Sequence, residues 1–263
     1  MKSMKRGIFL LVAILALAVA LTACNNADPA QTSGDGDAKV YKIVADNAFA
    51  PFEFLDEGSG DYIGIDMDLL AAIAEDQNFT YTMDNCGWDA AIASLQSGQA
   101  DGMIAGMSIT EERKADYDFS EGYYTGGQIM IVKGDSDIAS YEDLAGKTVA
   151  VKTGTQSAAL AESLASEYGF QIVTYKDSPA VYAAVTGGID AAGFEDYAVI
   201  SYQIQNQSLD LKMVGEQQNV TSYGFAVKKG QNPELIEMFD AGLANIIENG
   251  TYDEILANYG IEN

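Results

Sequence analysis

KVYKIVAD at 39–46, DMDLLAAIAEDQ at 66–77, FTYTM at 79–83, WDAAIASLQS at 88–97 and ADGMIAG at 100–106 are the stretches that decide the fold class. The first, third and fifth are short apolar-rich runs of strand length. The second and fourth repeat apolar residues at helical spacing, with Leu69, Leu70 and Ile73 on one face and Trp88, Ile92 and Leu95 on the other helix's inner face. Gly98 supplies the stop of the second helix. The order is βαβαβ, the unit of an open α/β sheet with helices on both faces.

A second round begins after Gly126-Gly127. Strands are predicted over 128–133 and 147–152, a helix over 155–168 closed by Gly169, and a strand over 170–175. Ser178 as N-cap, with Pro179 in the first turn, opens a helix that ends at Gly187-Gly188. Strands over 189–194, 211–214 and 223–228 follow. Asn232-Pro233 then starts a helix with Leu235, Ile236, Phe239, Leu243, Ile246 and Ile247 inward, closed by Gly250, and 251–259 forms a last short helix. Two α/β rounds and a helical tail suggest two lobes. Chain order leaves open which lobe the tail packs on.

The first 23 residues have the makeup of an export signal. Lys2, Lys5 and Arg6 precede an uncharged run over 8–21, too short to span a bilayer comfortably. Leu21-Thr22-Ala23-Cys24 resembles the lipobox of bacterial lipoproteins, in which the cysteine is acylated and becomes the new N-terminus. An ordinary cleavable signal with a chance cysteine, or a short membrane anchor, is the alternative. Residues 24–38 are rich in Asn, Asp, Gly, Ser and Thr and read as a flexible tether. Loss of the signal removes three of the 14 basic residues and none of the 39 acidic ones, leaving 11 against 39, a net charge of −28. Such a chain is repelled by nucleic acid and by anionic lipid surfaces. With Cys24 acylated, Cys86 stands alone and no internal disulfide is available. The absence of histidine excludes Ser-His-Asp and Cys-His hydrolytic chemistry and the usual zinc ligand sets. No cofactor or metal is expected.

Several further segments carry a resemblance. They are Ala45-Asp46-Asn47-Ala48-Phe49-Ala50-Pro51-Phe52-Glu53-Phe54, Gly64-Ile65-Asp66-Met67-Asp68-Leu69 and Ala105-Gly106-Met107-Ser108-Ile109-Thr110-Glu111-Glu112-Arg113. Asp118-Phe119-Ser120-Glu121-Gly122-Tyr123-Tyr124, Val149-Ala150-Val151-Lys152-Thr153-Gly154-Thr155 and Glu248-Asn249-Gly250-Thr251-Tyr252-Asp253-Glu254-Ile255 continue the series. From about Val40 onward the chain resembles extracellular solute-binding protein family three, the amino-acid receptors of ATP-driven importers, with a glutamine-binding-protein-like pattern. The resemblance implies a type II periplasmic-binding-protein fold, two α/β lobes joined by two crossing strands with the ligand cleft between them. Lobe 1 would comprise 39–127 and 219–263 and lobe 2 128–218, with crossings near 123–127 and 219–223.

A free amino acid carries a carboxylate and an ammonium on one carbon, and both need partners when buried. The family grips the carboxylate with an arginine that matches Arg113, the only arginine outside the signal. A guanidinium makes two parallel bonds to a carboxylate, which lysine cannot copy. A surface pairing of Arg113 with Glu111, Glu112 or Asp116 is the alternative. Gly106 and Ser108 match positions that give the ligand a carbonyl and a hydroxyl, although Gly106 also suits a strand-end turn. Thr155 and Gln156 begin a helix whose free N–H groups suit an anion. Lys152 aligns with a lysine of glutamine-type members and equally reads as a solvated strand-end charge. For the ammonium, Glu195 and Asp196 both fit the family's acidic position, depending on the alignment, with Asp196 preferred; Asp46 is a second acceptor candidate. Phe49 and Trp88 match aromatic positions that sandwich the ligand side chain, and Trp88 suits helix-core packing as well. Cys86 reads first as a small buried residue.

The expectation is therefore a non-enzymatic, lipid-anchored, monomeric receptor that binds a free amino acid, glutamine first, and delivers it to the permease of an ABC importer. The alternatives are a same-fold enzyme such as a prephenate- or arogenate-type dehydratase, and a sensory lipoprotein.

Overall fold

The computed structural model describes residues 39–261. The signal predicted over 1–23, the acylation predicted at Cys24 and the tether predicted over 24–38 fall outside the described residues. Strand β1 (Val40–Ala45) has Ile43, Val44 and Ala45 fully buried, as a parallel strand covered on both faces requires. The short strands β2 (Ala48–Phe49), β3 (Glu53–Leu55) and β4 (Tyr62–Ile63) form a small antiparallel sheet beside it. Helix α1 (Ile65–Gln77) starts at Gly64, where φ is 138° and a Cβ would lie 2.1 Å from the Phe52 carbonyl oxygen. Its Leu69, Leu70 and Ile73 are buried, as their spacing predicts. Strand β5 (Thr80–Asn85) pairs parallel with β1, and α2 (Trp88–Ser97) ends at a left-handed Gly98.

The apolar strand predicted over 100–106 shrinks to β6 (Gly102–Met103). The reason is local: Gly106 turns to φ 53°, and its N–H goes to the Asp66 carboxylate instead of to a ladder. A 3-10 turn over Arg113–Ala115 leads into β7 (Tyr117–Phe119).

Strand β8 (Tyr124–Lys133) starts four residues before its predicted beginning and carries the chain into the second sheet. There follow a 3-10 turn over Tyr141–Leu144, β9 (Thr148–Lys152), α3 (Gln156–Tyr168), β10 (Gln171–Tyr175), α4 (Ser178–Thr186) and β11 (Ala192–Asp196). The N-cap of α4 is Asp177, not Ser178: the Asp177 carboxylate accepts the Ala180 N–H at 2.9 Å, which leaves Ser178 and Pro179 as the first helical residues. Residues 189–191 are a turn, and Ile189 is 74% exposed. Helix α5 (Tyr197–Asn206) buries the consecutive residues Ala198, Val199 and Ile200 and is absent from the elements predicted above. The strand expected over 211–214 and the Tyr223 end of the next are one element, β12 (Leu211–Tyr223), whose register against β8 shifts twice. Those irregularities let a single strand bend from one lobe to the other.

Strand β13 (Ala226–Lys228) returns to the first sheet, followed by α6 (Pro233–Glu248) and α7 (Thr251–Asn258). The first sheet runs β5-β1-β6-β13-β7 and the second β10-β9-β11-β8-β12. The crossings are β8 and β12, paired antiparallel through Thr221 with Gly126, Ser222 with Thr125 and Tyr223 with Tyr124. The tail packs on the first lobe: a Cβ on Gly242 would lie 2.8 Å from Ile73 Cγ2, so α6 and α1 approach closely. Leu235, Phe239, Leu243 and Ile246 are buried there as predicted, and Phe239 stacks on Phe225 at 4.8 Å. Ile247 is 51% exposed, because one residue beyond the inward Ile246 lies about 100° further round the helix.

Candidate functional site

The first lobe supplies one wall of the cleft from the carboxyl ends of its strands, where open α/β sheets carry their ligands. Asp46 follows β1, and its Oδ1 accepts the N–H groups of Asn47 at 2.7 Å and Trp88 at 3.1 Å. The same carboxylate thus holds the start of α2 and the Trp88 ring on it. Gly106 has no room for a side chain, since a Cβ would sit 2.4 Å from Phe49 Cε1 and push that ring out of place. Its N–H is shared between Asp66 Oδ2 at 2.8 Å and the Tyr123 hydroxyl at 3.1 Å. Asp66 is buried, and burial raises its pKa to about 6 despite these donors.

Arg113 follows Thr110, whose hydroxyl accepts its backbone N–H at 3.2 Å. Its guanidinium donates to the Ser108 carbonyl at 3.0 Å and, across the cleft, to the Gly154 carbonyl at 3.3 Å. It lies 5.2 Å from the Trp88 ring centroid. Among the described residues no ion pair joins Arg113 to Glu111, Glu112 or Asp116, and Glu111 takes Lys114 instead, at 2.7 Å. Burial lowers the Arg113 pKa, and the facing Asp196 charge opposes that shift.

The second lobe supplies charged side chains. Lys152 ends β9 and is 3% exposed, so it is not a solvated strand-end charge. Its ammonium forms an ion pair with Asp46 Oδ2 of the first lobe and stands 5.3 Å from the Phe49 ring and 5.7 Å from the Trp88 ring. Burial alone would lower its pKa; the charges of Asp46, Glu195 and Glu53 outweigh burial and raise it. Thr155 is the N-cap of α3, its hydroxyl accepting the Ala158 N–H at 3.2 Å and donating to the Lys152 carbonyl at 2.7 Å, and Gln156 is the first helical residue.

Asp46, Phe49, Trp88, Gly106, Ser108, Arg113, Lys152, Thr155, Gln156 and Asp196, together with Ala105, line one space between the lobes. Glu195 does not. It and Asp196 are neighbours at the end of a strand, where successive side chains point to opposite faces. Glu195 turns into the lobe, accepting the Tyr182 hydroxyl and the Asp196 N–H, each at 2.9 Å. Asp196 Oδ1 accepts Gln128 Nε2 at 3.1 Å and the Tyr223 hydroxyl at 2.6 Å. Burial raises both carboxyls, and with the Asp196 charge beside it Glu195 reaches about 7. Cys86 is partly buried and packs beside the core that holds Trp88.

Sequence reasoning missed Tyr223, Gln128 and the buried carboxyl pair Glu53 and Asp66. Gln128 carried a signal, a lone amide heading the apolar run Ile129-Met130-Ile131-Val132. Tyr223 carried none.

A two-lobed α/β receptor with a charged and aromatic cleft at the lobe junction is the class that this fold and site define. The chain belongs to the bacterial extracellular solute-binding proteins, family 3, whose model matches residues 41–262. It is 31% identical to a probable histidine-binding protein of Neisseria gonorrhoeae over 94% of this chain and 93% of that one. It is likewise 31% identical to the ABC transporter glutamine-binding protein GlnH of Bacillus subtilis, over 84% and 80%. Among solved structures, substrate binding domain 2 of Lactococcus lactis GlnP in an open conformation is 42% identical over 86% of this chain and 97% of that one, with a TM-score of 0.60. An ancestral arginine-binding protein bound to arginine is 36% identical over 84% and 97%, with a TM-score of 0.77. The less identical of these two chains gives the higher TM-score.

Proposed function

We propose that the protein captures a free L-amino acid, glutamine first, outside the cytoplasm and delivers it to the permease of an ABC importer. The observation that carries this reading is Arg113 facing Asp196 across a cleft walled by Phe49 and Trp88. Arg113 receives the ligand carboxylate with two parallel bonds, helped by Ser108 and by the N–H groups at the start of α3. Asp196 and a backbone carbonyl near Gly106 receive the ammonium. The side chain passes between the aromatic rings towards Lys152 and Asp46. A terminal carboxamide suits that pair, because its oxygen accepts from the lysine while its NH2 donates to the aspartate. The relative named for glutamine supports the choice, and those named for histidine and arginine mark the competing ligands.

Residues 39–127 and 219–263 form one moving body and 128–218 the other, closing by bending at the two crossings. Acylated Cys24 and the tether hold a monomeric receptor near its importer. The protein carries out no covalent chemistry in this reading, in contrast to a dehydratase on the same fold. A thermal-shift screen of the twenty amino acids plus cystine tests it, since a ligand selective for the folded state raises Tm. Glutamine should give the largest shift; no shift from any amino acid sinks the proposal. Chromatographic turnover of prephenate or arogenate would replace it with the enzyme.

A further inference from the structure

Asp196 stands at the N-cap of α5 yet makes no side-chain cap to that helix. An aspartate there ordinarily turns back to accept the N–H of the second or third helical residue. Here the carboxylate is held elsewhere, and both of its hydrogen bonds among the described residues land on Oδ1. The shorter comes from the hydroxyl of Tyr223, at 2.6 Å.

Tyr223 is the last residue of the second crossing strand and is fully buried. Its main chain belongs to the first lobe's side of the cleft. Its carbonyl accepts the Tyr123 N–H at 2.9 Å, and it bridges to Ser108 on the ligand-facing segment. Its ring is wedged by Phe52 at 5.3 Å and Tyr124 at 5.6 Å. Gly126, on the other crossing strand, leaves the space for the hydroxyl: a Cβ there would lie 2.8 Å from it. Burial, with the Asp196 charge next, raises the phenol pKa well above its usual value, so the group stays a donor.

We propose that Tyr223 is a positioning residue for amino-acid capture: it draws the Asp196 carboxylate off the α5 cap and occupies Oδ1, leaving Oδ2 for the ligand ammonium. The inference rests on the amino-acid reading of the site. It makes the second lobe's acid depend on a hydroxyl carried by the hinge.

Tyr223→Phe keeps the ring and removes only the donor. Calorimetry with L-glutamine, or with the best-bound of the twenty amino acids, compares wild type, Tyr223→Phe, Asp196→Ala and the double variant. Removing a hydrogen bond to a charged group should weaken wild-type binding about tenfold. In the Asp196→Ala background the same change should cost less than about twofold, since its only route to the ligand is gone. Equal losses in both backgrounds mean that Tyr223 acts through packing, and no loss in wild type means that it does not act; either overturns the inference while the amino-acid reading stands. Wild type that binds none of the twenty overturns the functional reading and this inference with it.

Discussion

The two walls of the cleft are built in different ways. The first-lobe wall is held largely from within its own lobe: Asp46 by the N–H groups of Asn47 and Trp88, and Gly106 by Asp66, with Tyr123 at the start of the first crossing. The second-lobe wall is held in part from outside, Lys152 by Asp46 of the opposite lobe and Asp196 by Tyr223 of the second crossing as well as by Gln128 of its own lobe. One wall therefore offers a ligand a preset surface. The other takes part of its fixing from the opposite lobe and from the second crossing strand.

The largest effect expected from breaking this contrast is at Arg113. Arg113→Ala leaves the ligand carboxylate buried without its cation, and affinity should fall by a factor of about 100 or more in calorimetry. Arg113→Lys should recover little, because a point charge cannot reproduce the fork. Unchanged affinity in the alanine variant would remove Arg113 from the site.

Next come the two acids of the second wall. Asp196→Asn should cost about tenfold to a hundredfold in affinity, as loss of one partner of a buried charge contact does. Glu195→Gln should cost less than about threefold, because that side chain makes no direct contact with the cleft. The reverse order would mean that the lobe opens or twists enough to exchange their faces.

A smaller and more selective effect is expected at Lys152. Lys152→Met frees Asp46 and empties the space between Phe49 and Trp88 of its own cation. Glutamine binding should weaken about tenfold while arginine gains relative to it, since Asp46 with two aromatic faces then suits a cationic side chain. Competition between the two amino acids in one thermal-shift titration reads the change directly.

The smallest effect is in pH dependence. A carboxyl whose folded pKa lies above its unfolded value holds its proton more tightly in the folded state. The stability so gained is complete below the unfolded pKa and is lost as pH rises through the folded one. For Glu195 the window runs from its ordinary 4.5 to about 7, and for Asp66 from 3.8 to about 6. In the unliganded protein the Glu195 contribution to Tm should decline across that range. Glu195→Gln should flatten the profile relative to wild type, and parallel profiles would contradict the burial of Glu195 as an acid.

Much of the architecture was legible in the sequence where pattern and position coincide. Leu69, Leu70 and Ile73 predicted the buried face of α1, and Phe239, Leu243 and Ile246 that of α6, because helical period and burial are one signal. Helix α5 was not legible, since its buried residues Ala198, Val199 and Ile200 are consecutive, a short apolar run that does not tell a helix from a strand. Nor was the unity of β12, whose bends fall at polar residues that resemble a loop. For the site, ten of the eleven predicted residues line one space, and Glu195 shows why the last did not: a one-residue ambiguity in alignment is a change of face in a strand.

What the sequence by itself determined is the list of chemical groups and the local elements that carry them: two α/β rounds, one arginine outside the signal, a lysine ending a strand, two adjacent acids and a pair of aromatics. Local propensity and period suffice for that, because each depends on neighbours within a few residues. The tertiary structure sets α6 against α1 and turns Asp196, the acid preferred on the resemblance, into the cleft; only it decided that Asp46 pairs with Lys152 across that cleft. It also decided that Tyr223, 27 residues from Asp196 along the chain, holds that carboxylate in place. These are contacts between segments distant in the chain. They are set by where two sheets and a bent pair of crossing strands come to rest, which no local pattern encodes.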